Sequence, residues 1–320
     1  MRLTPRLALL MTLPPLLWAG NAVVGHVVAG GMQAGQPGAA LIPPLTLNLM
    51  RWLITVLILL PFAWRALTPL SRITQRWPYL LAVGVLGVGA FNSLQYLALS
   101  SSSPLNVTLV AASMPVWMLA VGALFFHEQP TRQQLLGAAL GLAGVCVVVG
   151  RGSLQTLQQL QLVPGDGYIL LAVIGWAFYS WLLARPPAHM RGEQRPRADE
   201  GWDWAGFLLV QALFGLGAAG VFTAGEQALG AEPIQWGWPL VAALLYVSLG
   251  ASIVAYRCWG LGVAEGGPAL AAIFNNLTPL FTALLSVLVL GDAPKLYHAA
   301  AFGLIVAGIT VSMAHKPAPA

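Results

Sequence analysis

Charge is what this sequence has least of. Only 8% of its 320 residues are Asp, Glu, Lys or Arg, against 58% hydrophobic, and the mean hydropathy is +0.76. Soluble domains carry about 25% charged residues, so there is too little polar surface here to coat a globule. There are 2 cysteines, Cys146 and Cys258, both inside apolar runs. That excludes a disulfide framework and a thiolate metal site and leaves them as small core residues. The 5 histidines (26, 127, 189, 298 and 315) fall in connections or near the ends of runs, without H-E-x-x-H spacing. No metal centre, nucleophile–base pair or cofactor site follows from them, and an enzyme is not expected. The alternating segments of about 10 residues that a membrane β-barrel requires are also missing.

What is present is a series of apolar runs near 20 residues, the length that crosses a hydrocarbon core as a helix. Ten runs are expected as spans: 7–28, 44–63, 77–98, 104–126, 132–150, 166–184, 203–224, 238–262, 268–290 and 296–314. The fold class expected is an all-α polytopic membrane protein. Connections are short except 184–202, a polar stretch read as a mobile loop. Residues 152–163, mixing Leu and Gln, suit a position along the interface.

The basic residues give the orientation. A pI near 9.6 would suit nucleic acid if the charges clustered on a soluble surface, but here they alternate with the spans, so no nucleic-acid partner is expected. Arg2, Arg6, Arg65, Arg72, Arg76, Arg132, Arg185, Arg191, Arg195, Arg197 and Lys316 fall on one side, Arg151 and Lys295 on the other, and Arg51 and Arg257 within spans. The positive-inside rule then puts both termini and the 184–202 loop in the cytoplasm. Arg2 and Arg6, the apolar run and WAGNA also admit a cleaved signal peptide. Cleavage would leave nine spans and break the charge pattern, so an uncleaved first span is expected.

The strongest internal signal is a repeat. Shifting the chain by 164 residues puts Pro104 on Pro268, Pro115 on Pro279, Glu128 on Asp292, Pro130 on Pro294 and Gly144 on Gly308. More weakly, Asn92-x-x-Gln95 falls on Tyr256-x-x-Trp259. Two halves follow, 1–152 (spans one to five) and 160–316 (spans six to ten). An odd number of spans per half makes the second half enter the membrane upside down. The expected architecture is two inverted five-helix repeats about an axis in the membrane plane.

Polar and helix-breaking residues inside spans are the candidates for function, because their burial in lipid is costly. Pro115 and Pro279 stand about 16 Å along their helices, near the midplane. Each frees a backbone carbonyl, at Ala111 and Asn275, and is either a packing kink or a hinge facing a substrate path. Asn21, Asn48, Arg51 and Asn92 fall in the outer third, with Gln95 nearer the outer surface; Tyr179, Gln211 and Tyr256 fall on the inner side; Asn275 and Asn276 lie about 10–12 Å from the inner end of span nine. Converging, these side chains would line one central cavity reached from both sides. Singly, each amide is as readily an interhelical hydrogen bond. Arg51, about 10 Å below the outer end of its helix, needs a counter-charge or a carbonyl cluster. A substrate carboxylate or the backbone would each serve. Arg257 is expected to reach the headgroups or Glu265. Trp18, Trp117, Trp176, Trp181, Trp259 and Phe281 are candidate cavity walls, and Trp77, Trp202, Trp204, Trp236 and Trp238 are read as interfacial. Glu128 and Asp292 are given structural roles at turns. The small-residue runs GVLGVGA, GAALGLAGV and GLIVAGI suit tight packing or a homodimer face.

Taken in order, LLWAGNAVVG, PPLTLNLMRWLITVLILLP with Arg51, Ala98-Leu99 through Pro115 to Glu128, then Ala255-Tyr256-x-x-Trp259 and Pro279 through Gly291-Asp292, this chain resembles the EamA-type members of the drug/metabolite transporter superfamily. Asp292 stands where the resemblance implies Glu, and Arg257 where it implies an apolar residue. The resemblance implies ten helices around a central cavity. It also implies export of a small metabolite, an amino acid or related compound, across a bacterial inner membrane, with the substrate and the bilayer as partners. An uncoupled facilitator or channel stays open, since no Asp, Glu or His falls at the expected midplane.

Overall fold

A computed structural model describes residues 4–29, 40–101, 104–158, 163–290 and 296–314. Asp292, Pro294, Lys295, Arg2 and Lys316 lie outside these residues, as do parts of the 152–163 connection. Numbering only the long helices, α1 is Pro5–Ala29 and α2 is Pro44–Ala63. The third, α3, joins Trp77–Gly84, a π-helical turn Val85–Ala90 and Phe91–Ser101. The fourth, α4, is broken into Pro104–Ala111 and Met114–Phe125. Then come α5 (Arg132–Val149), α6 (Pro164–Ala184) and α7 (Trp204–Ala228). In α8, Trp238–Ser248 is followed by a π-helical turn Leu249–Val254 and Ala255–Gly266. The last two are α9, broken into Pro268–Asn275 and Leu277–Leu290, and α10, Leu296–Met313.

Nine described helices are long and apolar enough to cross a membrane, and Met114–Phe125 is a shorter apolar one. The chain is therefore a multi-pass, all-α membrane protein. The fourth span is expected whole over 104–126. It is interrupted because the chain turns at 112–113, where the Ser113 N–H reaches only the Val110 carbonyl at 3.0 Å. Pro115 then falls in the first turn of a new helix, where its missing N–H costs nothing. The break in α9, at Asn276, stands 164 residues beyond Ala112, so both breaks keep the sequence register.

Proline also starts the helices, at Pro5, Pro44, Pro104, Pro164 and Pro268. Thr131 and Gln134 form a capping box on α5. The start of α2 is capped from another helix: Glu226, near the end of α7, accepts the Leu45 and Thr46 N–H groups at 2.7 Å each. A carboxylate at a helix N-terminus also meets the positive end of its dipole.

The most extensive helix pairs include α5 with α10, α2 with α7, α3 with α6, α1 with α8, α3 with α7, α2 with α8, α4 with α6 and α1 with α9. Exchanging helices one to five for six to ten turns this set of pairs into itself. At the α5–α10 contact the backbones touch: a Cβ on Gly137 would stand 2.6 Å from the Gly308 carbonyl, and one on Gly308 2.7 Å from that of Gly137.

The long polar connection differs from the expected mobile loop. It carries 3-10 turns at Ala188–Met190 and Gly192–Gln194 and inserts Met190 and Trp202, both buried, into the core. Arg72 pairs with Glu200 at 2.9 Å, and Arg76 donates to the His189 and Gln194 carbonyls. Gly201, at φ +87°, presses on the Arg65–Ala66 backbone, where no side chain fits.

The α5–α10 contact yields a first prediction. Gly308→Ala is expected to lower stability in detergent by about 1–3 kcal/mol through overpacking, read from a denaturant or thermal melt. Gly303→Ala, on the same helix with open space around it, is expected to lose nothing.

Candidate functional site

The middle of the bundle is aromatic. Trp18 from α1 packs on Trp176 of α6 and on Trp259 of α8, with ring centroids 5.3 Å apart in each case. Tyr256 of α8 lies 5.5 Å from Trp176 and 4.9 Å from Trp52 of α2, and Tyr179 lies 4.9 Å from Trp176. This cluster is a septum with a cavity on each side. The smaller cavity, about 130 Å³, is lined by Trp18, Asn21, Asn92, Gln95, Asn275, Asn276 and Pro279 among others. The larger, about 870 Å³, runs from Tyr179 and Gln211 out to exposed residues of the 184–202 connection such as Arg195 and Arg197. Tyr256 lines both.

The septum is held by backbone as well as rings. An α-helix uses every carbonyl in an i→i+4 bond; a π turn disturbs that ladder and leaves carbonyls available. The two π turns are Val85–Ala90 and Leu249–Val254, again 164 residues apart. From the first, the Gly87 carbonyl accepts the Tyr256 hydroxyl. From the second, the Ala251 carbonyl accepts Trp18 Nε1 at 3.1 Å and Arg51 Nη2 at 2.8 Å. Gly87 and Ala251 are equivalent under the 164-residue shift, and each is bonded by side chains from the other half of the chain. Arg51 also donates from Nε to Ser252 Oγ at 2.5 Å. Its own carbonyl accepts Ser248 Oγ at 3.0 Å.

The sequence-derived candidates thus separate. Trp18, Asn21, Asn92, Gln95, Asn275, Asn276 and Pro279 meet at the smaller cavity, Tyr179 and Gln211 at the larger, and Tyr256 at both. Arg51 lines neither. It is 1% exposed, and of its two expected partners the structure supplies the carbonyl. Its Nη1 stays buried without a hydrogen bond, beside Tyr96 and Asn21. Asn48 lines neither, because it donates to Ser93 Oγ at 3.0 Å between α2 and α3. Trp117 is half-buried against the core and Pro115 is buried, and neither reaches a cavity. Ala111 and Asn275, the carbonyl positions assigned to the two prolines, both line the smaller cavity.

Other expectations are corrected. Arg257 does not reach Glu265, which pairs with Arg6 at 2.8 Å; its guanidinium lies over Trp204, 4.5 Å from the ring centroid. Trp202, read as interfacial, is buried and lines the larger cavity, whereas Trp204 lines the same cavity and stays exposed. Glu128, expected in a structural role at its turn, does pair with Arg185, tying the ends of α4 and α6. Among the described residues no group of three or more His, Cys, Asp or Glu could hold a metal.

The family model of the EamA-like transporter family matches residues 6–150 and again residues 163–314. The chain belongs to the EamA-like transporter family. Among curated relatives of this EamA-like transporter, the aromatic amino acid exporter YddG of Ancylobacter novellus is 26% identical, over 76% of this chain and 78% of its own. A probable amino-acid metabolite efflux pump of Salmonella typhimurium is 24% identical over 85% and 86%. The uncharacterized transporter YyaM of Bacillus subtilis is 25% identical over 72% and 70%. One solved crystal structure shares the fold at a TM-score of 0.70, with 22% identity over 96% of each chain. The family consists of transporters, not enzymes.

Several lining residues of this EamA-like transporter were not singled out from sequence: Phe91, Thr108, Met114, Thr278 and Thr282 at the smaller cavity, and Tyr79, Phe207 and the two arginines at the larger. One signal was available. Thr278 stands at the repeat position of Met114, two residues from a break.

These bonds can be weighed. Tyr256→Phe removes one hydroxyl donor and is expected to cost about 1 kcal/mol, whereas Arg51→Met removes two charge-assisted bonds from a sealed site and is expected to cost about 2–3 kcal/mol. Unfolding in mixed micelles measures both. An Arg51→Met protein as stable as wild type would contradict the structural role of Arg51.

Proposed function

We propose that this EamA-like transporter is a secondary carrier that exports a small metabolite, an amino acid or related compound, across a bacterial inner membrane by alternating access. The observation that carries the reading is the pair of cavities divided by one thin aromatic septum, with Tyr256 lining both. Two relatives named as exporters of aromatic amino acids or of amino-acid metabolites support the substrate class. In this reading residues 1–152 and 160–316 are inverted repeats that rock about the septum, and both termini are cytoplasmic. The larger cavity opens beside the arginine-rich connection, which the positive-inside rule assigns to the cytoplasm, so this conformation loads cargo as an exporter must.

The chemistry of the path follows from its lining. Inside, Tyr179, Gln211 and Tyr256 offer hydroxyl and amide groups at the foot of the larger cavity, and Gln211 Oε1 is buried without a partner. A cargo ammonium or hydroxyl would satisfy that acceptor. Outside, Asn21, Asn92 and Asn275 take over the polar contacts in the smaller cavity. For the cargo to pass, Trp18 and Tyr256 must leave the Ala251 and Gly87 carbonyls. Both carbonyls sit in π turns, so the donors and acceptors that part belong to the least regular backbone of their helices. The breaks at Ala112 and Asn276 flank the smaller cavity and supply its hinge.

One observation favours a second reading, an uncoupled facilitator: the described lining of the smaller cavity holds no Asp, Glu or His. Counterflow in proteoliposomes preloaded with amino acids and related metabolites tests the first reading, and repeating it across an imposed pH gradient separates it from the second. Saturable exchange is expected, with Gln211→Ala lowering its rate about tenfold, the loss of one buried hydrogen bond of about 1.4 kcal/mol. Exchange of none of these compounds by a folded protein would sink the substrate class, and an unaltered rate in Gln211→Ala would remove that residue from the path.

A further inference from the structure

Arg257 has no part in the path described so far. It follows Tyr256 on α8, lines the larger cavity, and lays its guanidinium over the Trp204 ring of α7. Among the described residues it makes no ion pair and no side-chain hydrogen bond. Glu265, on the same helix, is taken by Arg6. Asp203, on the cavity wall, uses Oδ1 to accept the Ala205 and Gly206 N–H groups at 3.0 and 2.9 Å as the cap of α7. The other charged residues of the wall are Asp199, Arg195 and Arg197, all exposed on the connection. A positive charge therefore stands in the half-buried part of the cavity with no carboxylate within ion-pair distance among the described residues.

Trp204 holds this charge without neutralising it. A cation–π contact restrains the guanidinium but supplies no acceptor for its N–H donors. A carboxylate is the group those donors fit, in paired, charge-assisted geometry. A cation would meet uncompensated like charge next to a low-dielectric wall. Arg51 cannot do this work, since it lines neither cavity and its Nε and Nη2 are committed to Ser252 and Ala251.

We infer that Arg257 is the specificity-determining residue of the larger cavity and that it selects cargo with a free carboxylate, against cationic analogues of the same shape. The carboxylate sits on Arg257 beside Trp204, and the rest of the cargo points toward Tyr256 and Gln211. The inference rests on the carrier reading above for its meaning in transport, but the binding it requires is measurable without transport.

The test uses the full-length protein in detergent and three probes sharing one phenyl scaffold: 3-phenylpropionate, phenylalanine and phenethylamine, carrying a carboxylate alone, both charges, and an ammonium alone. Isothermal titration calorimetry is expected to give tighter binding of the first two than of phenethylamine. Arg257→Gln is expected to weaken 3-phenylpropionate about tenfold or more, the worth of a charged hydrogen bond, without weakening phenethylamine, and Arg257→Lys to recover part of the loss. Arg195→Gln and Arg197→Gln, exposed and screened by salt, are expected to change it less than about threefold. Equal binding of the anion and the cation, wild-type anion affinity in Arg257→Gln, equal losses in the loop variants, or no saturable anion binding by the folded protein each overturn the inference. Anion binding through Arg257 without counterflow would leave it standing and remove the carrier reading instead.

Discussion

A backbone carbonyl that leaves its helical ladder inside a bilayer has no water to turn to, so it must be met by a donor from elsewhere in the protein. This constraint organises the centre of the molecule. The π turns in α3 and α8 each present such a carbonyl, at Gly87 and Ala251, and the donors come across the middle of the bundle: Tyr256 to the first, Trp18 and Arg51 to the second. The bonds join α8 to α3 and α1 with α2 to α8, so each π turn is closed by a helix of the other half. Irregular backbone, normally a liability in a membrane, here supplies the attachment points of a crossed pair of contacts.

The aromatic septum follows from the same requirement. A tryptophan or tyrosine fills the space between helices with a large apolar body and still carries one polar group that can reach a partner. Trp18 and Tyr256 use theirs on the π turns, and Trp259 donates Nε1 to Ser180 Oγ at 3.2 Å. Leucines would pack the centre but leave the Gly87 carbonyl unbonded and the Ala251 carbonyl to Arg51 alone. Trp52 and Trp176, in the same cluster, bury Nε1 without a hydrogen bond, and Tyr256 lines both the cavity of about 870 Å³ and that of about 130 Å³.

Most of the scaffold was legible in the sequence because it is written in lengths and in proline. Apolar runs near 20 residues set the spans, and Pro104, Pro115, Pro268 and Pro279 marked the starts and breaks of α4 and α9. The π turns were not legible. Their residues, VLGVGA and LGASIV, are small and apolar, with nothing in type or spacing to distinguish a sixth residue in a turn from ordinary helix. That concealed the partner of Arg51. A guanidinium in a span demands an acceptor, and a carbonyl released two hundred residues away in sequence cannot be read from composition. The cavity on the arginine-rich side was hidden for a related reason. The 184–202 connection reads as solvated by charge count, yet Met190 and Trp202 anchor it, and Arg72 and Arg76, from the connection between α2 and α3, bond to its Glu200 and to its His189 and Gln194 carbonyls.

The 164-residue register also locates where the two halves must differ. Backbone features keep it: the π turns, the breaks at Ala112 and Asn276, and the carbonyls at Gly87 and Ala251. Several side chains around the two cavities do not. Asn92 and Gln95 are amides on the smaller cavity, whereas their counterparts Tyr256 and Trp259 are rings of the septum. Nor are the donors matched, since Ala251 receives an arginine and an indole and Gly87 only a hydroxyl. A scaffold of two equivalent halves would line its two cavities with the same side chains and bond its two π turns with the same donors. The amide-for-aromatic exchange makes the two cavities chemically distinct, and the unequal donors make one crossed contact stronger than the other. The backbone keeps the 164-residue register at the π turns and the helix breaks, and the side chains around them depart from it.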